Sequence, residues 1–114
     1  MICSFSDSNL YKDRMQLVEL HKALANDTRM DIMRWLSDPA KHFRPHKDGK
    51  DFSDGVCVQV IQEKTGMSQS TVSHYLSILQ RANLLIAERV GKWTYYRRND
   101  ETIRAFLSEL QLTL

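Results

Sequence analysis

Residues 68–82 read SQSTVSHYLSILQRA. Val72, Tyr75, Leu76 and Leu79 recur at i, i+3, i+4 and i+7, the spacing that gathers apolar side chains into one stripe of a helix. Ser68 stands just ahead as an N-cap, because its hydroxyl can accept from the N–H groups that a first helical turn leaves unpaired. At about 100° per residue, Ser70, Ser73, His74, Ser77 and Arg81 project from the opposite side. That outer face holds small hydrogen-bonding groups, an imidazole and a guanidinium, and its backbone can come close to the floor of a groove. Gln69 and Thr71 complete the first turn. Glutamine can pair bidentately with adenine, and serine or threonine can bond base edges or phosphate. Free N–H groups at the helix start suit a phosphate. The candidate nucleic-acid contacts on this helix are therefore Ser68, Gln69, Ser70, Thr71, Ser73 and His74. Taken singly, each hydroxyl also reads as a solvated cap.

Downstream, Asn83 occupies the helix end, where asparagine is, after glycine, the residue that best tolerates the left-handed conformation. Strand chemistry follows over residues 84–90 and 93–98, flanking Gly91-Lys92. A two-residue loop with glycine first predicts a type II′ hairpin. Arg89 and Arg97 lie on its strands and Lys92 at its tip, so the hairpin offers cations to phosphates or to a minor groove. Trp93, Tyr95 and Tyr96 read as packing residues, with stacking on single-stranded bases as the alternative. Ile103, Phe106, Leu107 and Leu110 make a second i, i+3, i+4, i+7 stripe on a final helix.

Upstream, Cys57, Val60 and Ile61 predict a short amphipathic helix ending at Gly66. Leu17, Val18, Leu20 and Leu24 mark a first helix from Met15. Asn26, Asp27 and Thr28 are capping candidates for a second helix through Ile32, Met33 and Leu36. Pro39 stops it. Residues 42–55, HFRPHKDGKDFSDG, lack an apolar period and read as a flexible loop insertion. The resulting expectation is a mainly α fold with a small β-hairpin, a winged helix-turn-helix in the order α-α-α-α-β-β-α. Residues 1–13 are expected to form a flexible arm and residues 14–112 the DNA-binding and dimerisation domain.

The 114 residues allow one modest core. A chain this short favours burying surface against another subunit. Its net charge of +2 is unevenly placed. Residues 56–98 hold Lys64, Arg81, Arg89, Lys92, Arg97 and Arg98 against only Glu63 and Glu88, whereas residues 1–55 balance and the tail is acidic. Such asymmetry suits one face approaching a polyanion. Two cysteines are too few for a secreted disulfide framework. With no run long enough for a membrane span and no leader segment read at the start, the expectation is a cytoplasmic protein with no membrane partner.

At this point the chain resembles the ArsR/SmtB family of winged-helix repressors. ALANDTRMDIMRWL, residues 23–36, resembles that family's second-helix signature. Residues 55–97, GVCVQVIQEKTGMSQSTVSHYLSILQRANLLIAERVGKWTYYR, resemble its helix-turn-helix and wing. The resemblance implies a homodimer built by the first and last helices, with Leu17, Leu20, Ile103, Phe106, Leu107 and Leu110 at the interface. It also implies two recognition helices set in successive major grooves of an inverted-repeat operator. The expected function is that of a sequence-specific, double-stranded-DNA-binding repressor released by an effector. The alternative is a winged-helix protein-interaction module, against which Arg89, Lys92 and Arg97 count.

Many members of the family sense metals through a Cys-x-Cys pair, but here Cys57-Val58-Gln59 keeps one thiol. Of the family's second site Asp100 is present, without a histidine on the last helix. Zinc needs about four ligands, so no metal or other cofactor is expected, with Cys3 and Cys57 the weak candidates. Cys57 falls on an apolar face and reads as buried and inert, with a Cys3–Cys57 switch as the alternative. His42 and His46 are separated by Pro45, which argues against a regular helix presenting both. No nucleophile with a placed base or paired carboxylates is recognisable, so catalysis is not expected.

Overall fold

The computed structural model describes residues 7–114, with side chains from Gln16 onward. Cys3 lies outside the described residues. Helix α1 spans Asp7–Leu24, starting earlier than Met15 and so taking in part of the expected arm; α2 spans Asp27–Leu36. One turn, α3 (Pro39–His42), follows, then strand β1 (Val56–Cys57) and helices α4 (Val58–Thr65) and α5 (Gln69–Arg81). Strands β2 (Leu85–Val90) and β3 (Trp93–Arg98) precede α6 (Asp100–Thr113). Relative to the sequence-based order, α3 and β1 are additional. Pro39 does end α2, but it also opens α3 at a position where its missing N–H is harmless.

The local signals act as chemistry dictates. The Asn26 side chain accepts from Arg29 N at 3.0 Å, capping α2. Asn83 adopts φ 65°, and Leu84 N reaches Leu79 O at 3.0 Å while Asn83 N reaches Gln80 O at 2.9 Å. That paired closure satisfies the last carbonyls of α5. Its side chain then donates to Thr102 Oγ1 at 3.1 Å, tying the end of α5 to the start of α6. At the hairpin, Val90 faces Trp93 across the turn. Gly91 has φ 63° and Lys92 is not left-handed, the pattern of a type II′ turn.

Three antiparallel strands are ordered β1-β3-β2. Beneath them Val56, Ile61, Val72, Leu76, Leu79, Leu84 and Leu85 join Ile32 from α2 in one core. Arg29 locks the helices around it. Its Nε donates to Ala23 O at 2.6 Å and Nη2 to Lys22 O at 3.2 Å, satisfying carbonyls at the end of α1. The same guanidinium lies 5.3 Å from the centre of the Tyr75 ring on α5. Arg29→Ala is expected to cost about 2–3 kcal/mol, from lost charge-assisted hydrogen bonds and a cation–π contact. Chemical denaturation would measure it, and Arg29→Lys would recover only part because an ammonium lacks the planar fork.

The insertion is anchored rather than loose. Phe43 and His46 are buried, and Phe43 meets Trp35 and Phe52 ring to ring. His46 Nε2 accepts from Cys57 N at 3.1 Å, which leaves Nδ1 to donate to Lys50 O at 2.9 Å. Both ring nitrogens thus serve the backbone. Lys50 pairs with Asp54 at 3.1 Å and lies over the Tyr95 ring. Outside, the Arg44 guanidinium grips Glu63 of α4 with two parallel bonds, holding that carboxyl below the usual range. Hydrogen bonds from Ser53 do the same for Asp51. Their stabilisation is therefore complete above about pH 4.3 and is lost as pH falls through the lowered values. The Arg44 Nε–H resonance is expected to lie away from the free-arginine position near neutrality and to move to it as Glu63 is protonated in acid, which an NMR titration would follow.

The apolar stripes of α1 and α6 divide differently from the expectation. Leu17, Leu20 and Phe106, assigned to a subunit interface, are buried in the chain's own core, and Ile103 and Leu110 pack partly against it. The cause is simple: α6 lies on α1, and each covers part of the other's stripe. Leu107 stays exposed, as do Val18, Met30, Leu112 and Leu114. No described helix is long and apolar enough to cross a membrane.

Candidate nucleic-acid interface

A helix can present a polar face only if its other face is held down. Val72, Leu76 and Leu79 are fully buried, fixing α5 in rotation. Gln69, Ser70, Ser73 and His74 consequently face solvent, with Gln80 and Arg81 further along. The start of the helix is more committed than its sequence implied. Ser68 Oγ accepts from Thr71 N at 3.2 Å and donates to Thr71 Oγ1 at 2.9 Å, with Ser70 Oγ 3.3 Å away. Ser68 and the half-buried Thr71 therefore act first as cap. Gly66, left-handed at φ 71°, ends α4 and turns the chain toward Ser68. Thr65 Oγ1 accepts from Met67 N at 3.1 Å and stiffens that turn.

Strand β2 packs against α5, so the hairpin is mounted on the same helix. Arg89 is exposed and folds its Nε onto Gly91 O at 3.1 Å. Lys92 is exposed at the turn. Arg97 differs: its Nη1 lies 3.0 Å from Glu88 Oε1. Register pairs Ile86 with Arg97 and Glu88 with Tyr95, so this is a diagonal cross-strand contact. Sequence reasoning passed over Glu88 as the partner that partly neutralises Arg97; the two-residue hairpin loop alone would have revealed it by counting back from the turn. Tyr95 is buried and Tyr96 half-buried, so these two pack the sheet, while Trp93 stays partly exposed beside Lys92. Cys57 is buried where β1 passes into α4, its backbone N–H held by His46.

Comparison with known proteins follows the same outline. The family model described as bacterial regulatory protein, arsR family, matches residues 56–87. The HTH-type transcriptional regulator YbzH of Bacillus subtilis is 51% identical over 90 residues, covering 78% of this chain and 89% of YbzH. The arsenical resistance operon repressor of the same organism is 36% identical, covering 77% of this chain and 70% of the repressor. Among solved structures, the homodimeric winged helix-turn-helix DNA-binding domain of Mb0332 from Mycobacterium bovis superposes with a TM-score of 0.65 at 28% identity, covering 98% of this chain and 89% of that one. HlyU from Vibrio cholerae shares the fold, with a TM-score of 0.62 at 22% identity over 90% of this chain and 95% of its own. The two Bacillus relatives are named as a transcriptional regulator and a repressor, and the family is one of regulators, not enzymes. A buried stripe that fixes a polar helix, a hairpin mounted on it and 51% identity to YbzH over 90 residues lead to one conclusion: the chain belongs to the ArsR family of transcriptional regulators, built on a DNA-binding winged helix-turn-helix.

Proposed function

We propose that the chain acts in the cytoplasm as a homodimeric repressor, setting α5 of each subunit into successive major grooves of an inverted-repeat operator and leaving when an effector binds. The observation that carries this is the solvent exposure of Gln69, Ser70, Ser73 and His74 on a helix whose underside is fully buried. Gln69, Ser70, Ser73 and His74 are assigned to base edges, and the Ser68–Thr71 cap to a phosphate at the helix start. Arg89 and Lys92 contact the backbone or minor groove beside it, with Arg97 contributing less because Glu88 shares its charge. The homodimeric Mycobacterium domain supports pairing. In this chain the exposed Val18, Leu107 and Leu112 are the apolar groups of α1 and α6 offered to a partner.

The test is binding of the purified chain to its own upstream DNA across a salt series. Affinity is expected to fall steeply, each neutralised phosphate adding roughly 0.9 to the log–log slope. Arg89→Ala and Lys92→Ala should each reduce that slope by about one contact and Arg97→Ala by less. Equal affinity for a scrambled duplex and for an inverted repeat would instead favour an interaction module without specific DNA binding.

A further inference from the structure

Between α2 and α6 the surface opens into a cleft of about 410 Å³, within the range of small-molecule sites. Met30, Met33, Leu84, Ile103 and Phe106 supply its apolar walls, together with Leu107, which is also among the groups offered to a second copy above. One cation belongs to the lining without a full set of partners. Arg98, the last residue of β3, has a side chain only 24% exposed. Its Nε is buried and makes no hydrogen bond, lying 3.4 Å from Asp100 Oδ1. Nη1 reaches only Met33 O, at 3.5 Å, and Nη2 bonds none of the described residues. A guanidinium carries five donors in a fork that matches a carboxylate. Arg34, at the same cleft, is already paired with Asp31 at 3.0 Å. Arg98 is also ion-paired, with Asp100 on its Nε side, but its Nη groups have only the long contact to Met33 O among the described residues.

We propose that this cleft binds a small amphipathic carboxylate, its tail against Met33, Ile103 and Phe106 and its head group on the Nη edge of Arg98. Charge complementarity selects the ligand. A neutral tail would leave the guanidinium donors unmet, and an amine would be repelled. Asp100 occupies the Nε side, so the incoming carboxylate uses the other edge. The site lies on α6 and on the last residue of the wing. As regulation it rests on the DNA-binding reading above, whereas binding itself does not.

The experiment uses the whole chain without DNA, labelled at methionine and isoleucine methyls, titrated with octanoate, 1-octanol, octylamine and acetate. Octanoate is expected to shift the Met30, Met33 and Ile103 methyls and the Arg98 Nε–H signal. Octanol and acetate should bind roughly tenfold more weakly or worse, the worth of a charge-assisted pair or of the buried tail. Arg98→Gln should bring octanoate down to the level of octanol. Equal binding of octanoate and octanol in the unaltered chain overturns the proposal, even if Arg98→Gln fails to fold. So do shifts centred elsewhere, or a cleft closed by a second copy and indifferent to all four probes. Adding octanoate to a protein–operator complex then tests the regulatory step separately. Release without a change in fold supports it, and unchanged operator affinity confines the site to binding alone.

Discussion

Ser70→Glu combined with Ser73→Glu is expected to lower affinity for the cognate duplex by about a thousandfold, the usual gap between specific and non-specific binding. Both side chains are exposed, so neither substitution disturbs the Val72, Leu76 and Leu79 contacts beneath. Ser70 sits in the first turn of α5, where a carboxylate is favoured by the helix dipole, so the folded state should not be weakened. The loss would come from two negative charges placed where the proposed base contacts lie, facing phosphates on either wall of the groove. Fluorescence anisotropy with the operator measures it, and circular dichroism confirms the fold. Retained affinity in a folded double variant would remove α5 from the DNA-reading role.

The second large effect concerns stability. Gly55→Ala is expected to cost about 2–4 kcal/mol, because backbone strain and overpacking act together. Gly55 has φ 111°, and an added Cβ would meet Tyr96 O at 2.6 Å and Tyr96 C at 2.8 Å. Both are backbone atoms of the central strand, so neither can swing aside. The cost would lower the melting temperature by roughly 10 °C or more in a domain of this size. Gly49→Ala is the control. Its φ of 80° is also left-handed, but nothing lies within 4 Å of the added carbon. It should cost only about 1–2 kcal/mol.

What could be read in advance was local. The α5 stripe, the Ser68 and Asn26 caps, left-handed Asn83 and the Gly91-Lys92 turn each rest on a few neighbouring residues, and each forms as its chemistry requires. The polar face of α5 followed from the same periodicity. What escaped depends on distant partners. Strand β1 is two residues long and exists only because Val56 and Cys57 pair with Tyr96 and Tyr95. In sequence His46 stands out only with His42 as a metal pair, since its hydrogen bond to Cys57 N spans eleven positions. The fate of Phe106 was equally undecidable from spacing, because a stripe does not state whether its own chain or a copy will cover it. Helix α1 decides that here.

Arg29 adds a polar link between α1 and α5 to their shared core. It fastens the end of α1 to the ring of Tyr75, while Asn83 pins the other end of α5 to α6. The two terminal helices and α5 are thus tied to one another by side-chain contacts. In the proposed homodimer these ties would carry a change in how two copies meet to the angle and separation of the paired α5 helices, without a moving joint inside either subunit.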